Sequence, residues 1–394
     1  MKKSYKLISV CALLLLFSQV SYSFDYGFEL SNAGGIKKID ELTFNTDHKE
    51  TVWISLPLNE ENTSKIAMEG SIYASLTDKF RYFATLDLLR FSATPVDSTG
   101  LKLSIDAGRI PVSDSTGFVI NHVIDGTEFH FSFPFGNIDF STGYTGLLNA
   151  RSSSILMSID DSQDAQTEKI YDLGSKRLIG KVVVQIPQAF GNVDFIAEGI
   201  GQYDMRRHLG NDWQELIDTA YGTMALSGPV LNNLYYSLSG TYQTGVQELS
   251  NKTKSSENSF LASARLDLFP SKGNQLFAQF VYTPSKNDFF SNYIPISTVS
   301  PGTLFPSGFT NLMRASAGWY FNPISNFNFD FGGNVFLNSG DNGTSSEIYN
   351  SSEISGGATF KATSDLRFRL DSSIFLPNSE NLQYQASLRA IFEL

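Results

Sequence analysis

The C-terminal residues 382–394, LQYQASLRAIFEL, alternate strictly between apolar and polar side chains. A period of two places successive side chains on opposite faces of a β-strand, and no helical stripe would collect all the apolar positions together. The apolar face carries aromatic rings near both ends, and the polar face carries long amides and a charge. This pattern predicts a strand in a wall that separates hydrocarbon from water.

The same alternation recurs along the chain in pairs of segments joined by turn residues. RLIGKVVVQI, for example, is followed by a turn at Pro187 to Asn192 and then by VDFIAEGIGQY. Longer polar stretches separate these pairs, at residues 150–175, 204–217, 245–258, 284–310 and 338–352. Alternating short and long connections are typical of single-chain outer-membrane barrels. We therefore expect an all-β fold, a single-chain antiparallel transmembrane β-barrel of about 18 strands, or 16 as the alternative, with short periplasmic turns and long extracellular loops.

The first strands are the least regular. FDYGFELSNA predicts a short strand, which a polar connection through Lys37 and Asp47 separates from a second strand at Thr51 to Leu58. Counting strands alternately from a periplasmic C-terminus places the tight turn at residues 77–79 outside and the longer turn at 95–100 inside. Either an early strand is miscounted, or that outer loop is short.

Residues 1–23 have the features of a secretory signal peptide. Three lysines precede an apolar run that ends at Ser21-Tyr22-Ser23, and the run is too short for a comfortable membrane-spanning helix. We expect the barrel to occupy residues 24–394. Cys11 is the only cysteine, so a mature chain would have no disulfide or thiolate metal site, and no metal or other cofactor is predicted.

The chain is acidic, with a formal net charge of −11. Nucleic acid is therefore not an expected partner, because binding it needs a basic surface. A soluble β-sandwich is the alternative to the barrel, since alternation alone does not distinguish a dry core from a lipid-facing surface. A sandwich of this length would be two or three domains joined by linkers, and the sequence contains no such break. An outer-membrane location is therefore favoured.

The stretch Ala107 to Gly126, AGRIPVSDSTGFVINHVIDG, together with Gly143 to Leu148, resembles a segment of uncharacterised porin-like outer-membrane proteins, particularly predicted spirochaete ones. The resemblance implies a membrane barrel with a pore. It supplies no catalytic residue and no named substrate.

Several charged positions fall on the predicted inward face or in a connection that could fold inward. The candidate pore-lining residues are Arg109, Asp114, His122, Arg265, Arg314, Lys361, Arg367, Arg369, Arg389, Asp106, Asp139 and Glu198. The last strands are rich in basic residues and the first half is richer in acidic ones, so a basic arc facing an acidic arc would create a field across the lumen. Ordinary pairing of charges inside a wet barrel is the equally weighted alternative.

The connection after Arg109 is a candidate constriction loop. Its apolar residues, among them Phe118, Val119 and Ile120, need burial against the barrel wall rather than exposure to water. An ordinary external loop is the alternative.

We predict a channel for passive diffusion of small polar solutes. The alternative is a surface protein whose barrel anchors extracellular loops that bind a host or partner molecule. The catalytic motifs of barrel hydrolases are absent from the sequence, so no enzymatic role is expected. The expected partners are outer-membrane lipid, small polar solutes and the barrel-insertion machinery, with a homotrimer as a possible assembly.

Overall fold

The computed structural model describes residues 24–77, 79–210, 213–286, 291–340, 348–378 and 381–394. The predicted signal peptide at residues 1–23 lies outside the described residues. Within the described ranges, eighteen antiparallel strands form one sheet in which each strand pairs with its neighbours in the chain. β1 also pairs with β18, which closes the sheet into a barrel. The predicted fold and the count of 18 strands are confirmed.

The strands of the barrel are β1 Asp25–Lys38, β2 Leu42–Pro57, β3 Ser64–Leu76, β4 Phe80–Asp97, β5 Lys102–Ser113, β6 Asn121–Phe133, β7 Gly136–Tyr144, β8 Arg177–Ile186, β9 Asp194–Asp204, β10 Glu215–Leu231, β11 Leu234–Leu249, β12 Lys254–Ser271, β13 Asn274–Tyr282, β14 Leu312–Ile324, β15 Phe327–Asn338, β16 Tyr349–Lys361, β17 Leu366–Pro377 and β18 Gln383–Glu393. The helices are short: a 3-10 turn at Ala150–Ser152, α1 at Ile159–Ala165 and α2 at Arg206–Leu209. In the described part of the chain, no helix has the length and apolar character needed to cross a membrane.

The two ends of the barrel differ in the length of their connections. One end, here called the terminus end, holds β1's first residue, β18's last residue and short turns such as 134–135 and 232–233. The opposite end, the loop end, holds the connections at 145–176 and 283–311. The tight connection at 77–79 also lies at the loop end. The early strands were therefore counted correctly, and that loop is simply short.

The strands extend further at the loop end than the alternation predicted. β2 begins at Leu42 rather than Thr51, and the predicted long connection at 245–258 shrinks to residues 250–253. Side-chain alternation requires one wet and one apolar face. Where a barrel projects beyond the hydrocarbon both faces are wet, so backbone pairing continues while the apolar pattern disappears.

β8 illustrates how the barrel divides its surroundings. The side chains of Leu178 and Val182 point outward and are 45% and 44% exposed, as expected for a lipid-facing surface. Ile179 and Val183 point inward and are 1% and 4% exposed. Apolar side chains on the inner wall of a barrel can be this little exposed only if other residues cover them. The barrel therefore contains packed material on this side.

Candidate functional site

The hairpin of β5 and β6 leaves the barrel wall near its loop end. β4 and β5 pair as far as Leu89 with Arg109, whereas β5 and β6 remain paired up to Ser113 with Asn121. Gly108 and Gly126 face each other where the hairpin separates. Gly108 has φ of +113°, and a Cβ there would lie 2.1 Å from the Leu89 carbonyl oxygen. Only glycine permits this close backbone approach. Residues 109–125 are called the inward hairpin below.

The departure of β5 exposes the edge of β4, and polar side chains occupy it. Three alternate carbonyl oxygens of β4 each accept a hydrogen bond: Leu86 from Arg109 Nη1 at 2.7 Å, Ala84 from Asn149 Nδ2 at 2.8 Å, and Tyr82 from Arg151 Nη1 at 3.0 Å. Arg109 also forms a bidentate pair with Asp125, with both contacts at 2.8 Å. These bonds replace the ladder that β5 would have supplied.

Asp114 organises the tip of the inward hairpin. Its Oδ1 accepts hydrogen bonds from the backbone N–H groups of Val119 and Ile120 at 3.0 and 2.8 Å. Its Oδ2 accepts from the backbone and hydroxyl of Thr116 and from the backbone of Phe118. One buried carboxylate thus satisfies several backbone donors that would otherwise lack partners.

The tip is fixed to the walls of β8 and β9 by polar and apolar contacts. Glu198 Oε2 accepts from the backbone and hydroxyl of Ser115 at 3.0 and 2.7 Å, and Lys181 Nζ donates to the Ser113 carbonyl at 3.0 Å. The apolar contacts form one buried cluster comprising Ile110, Val112, Val119, Ile120, Ile124, Ile155, Ile179, Ile200, Tyr221 and Ile296. Burial of each large side chain contributes roughly 1.5–3 kcal/mol, so the tip is held as part of a core.

Residues 291–311, from the connection between β13 and β14, cross the interior and contact the same tip. The Ile296 backbone N–H donates to the Val119 carbonyl at 2.8 Å, and the Asn121 N–H donates to Ser297 Oγ at 2.7 Å. A second buried cluster, Phe118, Leu261, Val281, Tyr293, Leu304, Phe305, Phe309, Leu312, Phe336 and Phe375, packs this loop on the inward faces of β12 to β17. The interior beside β8 to β15 is therefore largely filled at this level.

A buried group of two arginines and two aspartates fixes the loop at 145–176. Asp161 of α1 binds Arg177 of β8 and Arg206 of α2, the latter at 2.7 Å, and Asp204 lies 3.3 Å from each arginine. All four side chains are at most 7% exposed. Burial raises the pKa of Asp161, but Arg177 and Arg206 together outweigh burial and hold that pKa below its ordinary value of 3.8.

A polar cavity of about 320 Å³ lies on the other side of the inward hairpin. One wall belongs to β2, β3 and β4, and the facing wall to the inward hairpin and the loop at 145–176. Its lining residues are Lys49, Glu69, Tyr73, Thr85, Leu86, Asp87, Pro111, Asn121, His122, Val123, Leu148, Ser152 and Ser154. This space is here called the passage cavity.

On the strand wall of the passage cavity, hydrogen bonds orient Asp87. Thr51 Oγ1 lies 2.9 Å from Ser71 Oγ, and Ser71 donates to Asp87 Oδ2. The single Ser71 proton is used on Asp87, so Thr51 donates to Ser71. A β-bulge opposite Glu69 and Gly70 leaves Asp87 without a register partner. Bulges redirect side chains in this way.

Lys49 and Tyr73 form the rest of that wall's polar surface. Lys49 Nζ lies 5.2 Å from the centre of the Tyr73 ring, within range of a cation–π interaction. The Tyr73 ring stacks on Phe83, with centroids 4.8 Å apart. No ion pair joins Lys49 to a carboxylate of the described residues, so its charge is balanced only at longer range.

On the hairpin wall, hydrogen bonding determines the state of His122. The Ser154 hydroxyl donates to the Asn121 carbonyl at 3.2 Å, and His122 Nδ1 lies 2.9 Å from the same Ser154 Oγ. Because the hydroxyl has one proton, both contacts are hydrogen bonds only when Ser154 donates to the Asn121 carbonyl and His122 Nδ1–H donates to Ser154, and this arrangement leaves Nε2 as an acceptor. Nε2 has no partner among the described residues, and His122 is 7% exposed.

The structure separates the predicted pore-lining residues into four groups. His122 lines the passage cavity, whereas Arg109, Asp114 and Glu198 hold the inward hairpin in place. Arg314 donates to the Pro301 carbonyl of the crossing loop at 2.7 Å. The others lie toward the terminus end: Asp106, Asp139, Arg265, Lys361, Arg367, Arg369 and Arg389. Whether any of them lines a conducting pore stays a prediction.

Most charges near the terminus end are paired locally. Arg265 binds Asp267 at 2.7 Å, Arg369 binds Asp371 at 2.7 Å, and Asp139 binds His130. Lys361 and Arg389 are exceptions, with no ion pair to another described residue. Local pairing therefore describes this part of the interior better than an unpaired basic arc facing an acidic one.

Sequence reasoning missed the charged residues on the strand wall of the passage cavity. Glu69 and Tyr73 alternate with apolar residues in IAMEGSIYASL and so belong to the polar face of their strand, but nothing in the sequence distinguishes them from other polar positions. Lys49 fell in a segment predicted to be a connection. Before the bulge, the odd-numbered Asp87 faces the cavity. After the bulge, the odd-numbered Leu89 and Phe91 are exposed on the outer face. The even-numbered Arg90 then points inward and approaches Asp106. Strict alternation cannot anticipate that change of phase.

Metal binding finds no support in the described residues, where no group of three or more His, Cys, Asp or Glu side chains is suitably arranged.

No protein-family model matches the chain, and no curated protein matches it. Solved structures do match. Pseudomonas aeruginosa OpdQ aligns with a TM-score of 0.61 at 11% identity, covering 95% of this chain and 99% of that chain. Acinetobacter baumannii OccAB4 aligns with a TM-score of 0.58 at 8% identity, covering 95% and 99%. The outer membrane protein opdK from Pseudomonas aeruginosa aligns with a TM-score of 0.59 at 7% identity, covering 94% and 98%.

Identities this low show a shared fold. The chain is similar to these barrels over nearly its whole length and nearly theirs. Together with the apolar exterior, this fold is consistent with the integral outer-membrane protein that the sequence predicts.

Proposed function

We propose that this protein is an outer-membrane channel for passive diffusion of small polar solutes, and that the passage cavity is the narrow part of the route. The observation that carries the proposal is the polar cavity of about 320 Å³ between the inward hairpin and β2 to β4. Its lining side chains Lys49, Glu69 and Asp87 are only partly buried, so water and solutes reach them.

The filled half of the interior supports the same route. Two buried apolar clusters fill the interior beside β8 to β15 at the level of the hairpin tip, and a polar solute would lose its hydration there without replacement partners. Along β2 to β4, charged and hydroxyl groups replace water as hydrogen-bond partners. The inward hairpin narrows the barrel without closing this side.

The test is single-channel conductance in planar bilayers combined with liposome swelling. The wild-type protein is expected to conduct and to admit small sugars. Replacing residues 114–120 with a short glycine linker is expected to raise the conductance, because the tip no longer narrows the interior. The same linker replacing residues 250–253, which lie at the loop end outside both clusters, serves as the control and is expected to leave conductance unchanged. A correctly folded wild-type barrel that neither conducts nor admits solutes would contradict the proposal.

The alternative, a barrel that anchors partner-binding loops, is not favoured by a specific observation. Residues of the large loops at 145–176 and 283–311 pack against the barrel interior, so these residues are not free to bind an external partner. A channel is therefore preferred. Contacts with outer-membrane lipid and with the insertion machinery, and a homotrimeric assembly, stay predictions from the sequence. The proposal assigns no catalytic role.

A further inference from the structure

We infer that the passage cavity is a selective site for small organic cations, solutes that bear an ammonium or guanidinium group, held between Glu69, Asp87 and the acceptor face of His122. This inference rests on the proposed channel and specifies which solutes it favours.

The charge of the cavity is negative. Two carboxylates and one ammonium group line it: Glu69, Asp87 and Lys49. Lys49 is not consumed by an ion pair with either carboxylate among the described residues, and His122 is neutral in the hydrogen-bonded state described above. A narrow space with low-dielectric walls strengthens the effect of one excess charge on a passing ion.

The free hydrogen-bonding capacity of the cavity is mainly that of acceptors. Asp87 receives one hydrogen bond, from Ser71, and a carboxylate has room for several more. His122 Nε2 is an acceptor without a partner, on a side chain that lines the cavity and is 7% exposed. A buried acceptor without a donor is unfavourable, and Nε2 has almost no accessible surface, so a solute N–H group would satisfy it once the His122 ring shifts toward the cavity. Ammonium and guanidinium groups are donors only, so they match these acceptors.

Basic residues that would oppose this preference are committed elsewhere. Arg109 borders the site in sequence, but its guanidinium is saturated by Asp125 and by the carbonyls of Leu86 and Leu147. Arg151 donates to the Tyr82 and Thr167 carbonyls. Lys49 is therefore the only cationic side chain among the described residues that line the cavity.

The test is the reversal potential of the refolded full barrel in a potassium chloride gradient, compared across isosteric variants. The wild type is expected to prefer potassium over chloride. Glu69→Gln and Asp87→Asn are each expected to reduce that preference about fivefold, equivalent to about 1 kcal/mol. Lys49→Met is expected to increase it. Asp97→Asn removes the same charge at the terminus end, where Asp97 pairs with Lys102, and is the control expected to change little.

A second measurement uses two solutes of equal size and opposite charge. Butylammonium added to one side is expected to reduce the potassium current through the wild type, and butyrate at the same concentration is not. The reduction is expected to weaken in Asp87→Asn and in His122→Phe.

A barrel that conducts but prefers chloride, or whose selectivity is the same in Glu69→Gln, Asp87→Asn and Asp97→Asn, overturns this inference and leaves the channel intact. A barrel that does not conduct overturns the channel, and the inference falls with it.

Discussion

The two sides of the barrel interior are built from the same kind of strand, but one side is packed with apolar side chains and the other lines a polar cavity. Beside β8 to β15, inward positions hold residues such as Ile179, Ile200 and Phe336, and loop residues cover them almost completely. Beside β2 to β4, inward positions hold Lys49, Glu69 and Asp87, and these remain partly exposed around a cavity. In this barrel, inward apolar residues therefore lie where loops dock, and inward polar residues lie where space for water remains.

The largest effect is expected from removing one charge of the buried arginine–aspartate group on the side beside β8 to β15, which is called the docking side below. Arg177→Ala would leave Asp161 and Asp204 buried without one of their two cations, which costs about 3–5 kcal/mol. The loop at 145–176 is then expected to open, and the rate of trypsin cleavage within it should rise sharply.

The matched control for that change is Arg207→Ala, since Arg207 pairs with Asp218 but its side chain is 31% exposed. Exposed pairs contribute under about 1 kcal/mol, so cleavage should change little. Equal cleavage rates in the two variants would show that the buried group does not hold the loop.

A somewhat smaller effect is expected from weakening the apolar docking of the inward hairpin. Ile120→Ala removes a side chain that is fully buried in the first cluster, at a cost of about 2–5 kcal/mol. The tip should then fluctuate, which single-channel recording would detect as a noisier current with a higher mean. Leu178→Ala, on the outward face of β8, is the control, and an identical current trace in Ile120→Ala and the wild type would contradict the docking role.

The pH dependence of the buried charge group sharpens the same comparison. The pKa of Asp161 is lowered in the folded protein, so this carboxylate contributes stability above its ordinary value of 3.8. That contribution is lost only as the pH falls below 3.8 and through the folded-state pKa. Burial raises the pKa of the neighbouring Asp204, so Asp204 takes up its proton first as the pH falls. The part of the conductance change that depends on Asp161 should therefore appear only below about pH 4.

Asp161→Asn should abolish that acid transition and resemble the acidified wild type at every pH. An acid transition of the same size and midpoint in Asp161→Asn and the wild type would contradict the role given to Asp161.

The smallest effect is expected on the polar side. Thr51→Val removes the hydroxyl that donates to Ser71, a loss of about 0.5–1.5 kcal/mol, and leaves Asp87 less firmly oriented. The reversal potential should shift slightly toward zero. Thr241→Val breaks a similar buried hydroxyl pair with Thr223, 2.9 Å long, on the docking side. A shift of equal size in both variants would show that orientation of Asp87 is not the cause.

Much of the fold could be predicted because the wall of a membrane barrel requires a recognisable sequence pattern. Each strand that crosses hydrocarbon must alternate, and β18 and the hairpins of the middle of the chain do so. The burial of Phe118, Val119 and Ile120 in the structure agrees with the requirement, read from the sequence, that these side chains avoid water.

The passage cavity could not be predicted in the same way. Its walls come together through long-range contacts, such as Asn149 with Ala84 and Ile296 with Val119, which leave no local pattern. Arg109 and Asp114 were predicted from their charge to face a pore, but charge alone does not tell a side chain that meets solutes from one that satisfies backbone groups. The bulge beside Asp87 changes the phase of the alternation, so a strict period of two does not place Asp87 on the inward face.

The most direct test of the account is thiol modification of single-cysteine barrels during current recording. Cys11 is the only native cysteine, so with that position replaced or removed, each introduced thiol is the sole target. The account predicts that a cationic methanethiosulfonate reagent rapidly reduces the current through Glu69→Cys and leaves Ile200→Cys, in the docking cluster, unaffected. Rapid block of Ile200→Cys with no effect on Glu69→Cys would place the route on the opposite side of the barrel and contradict the account.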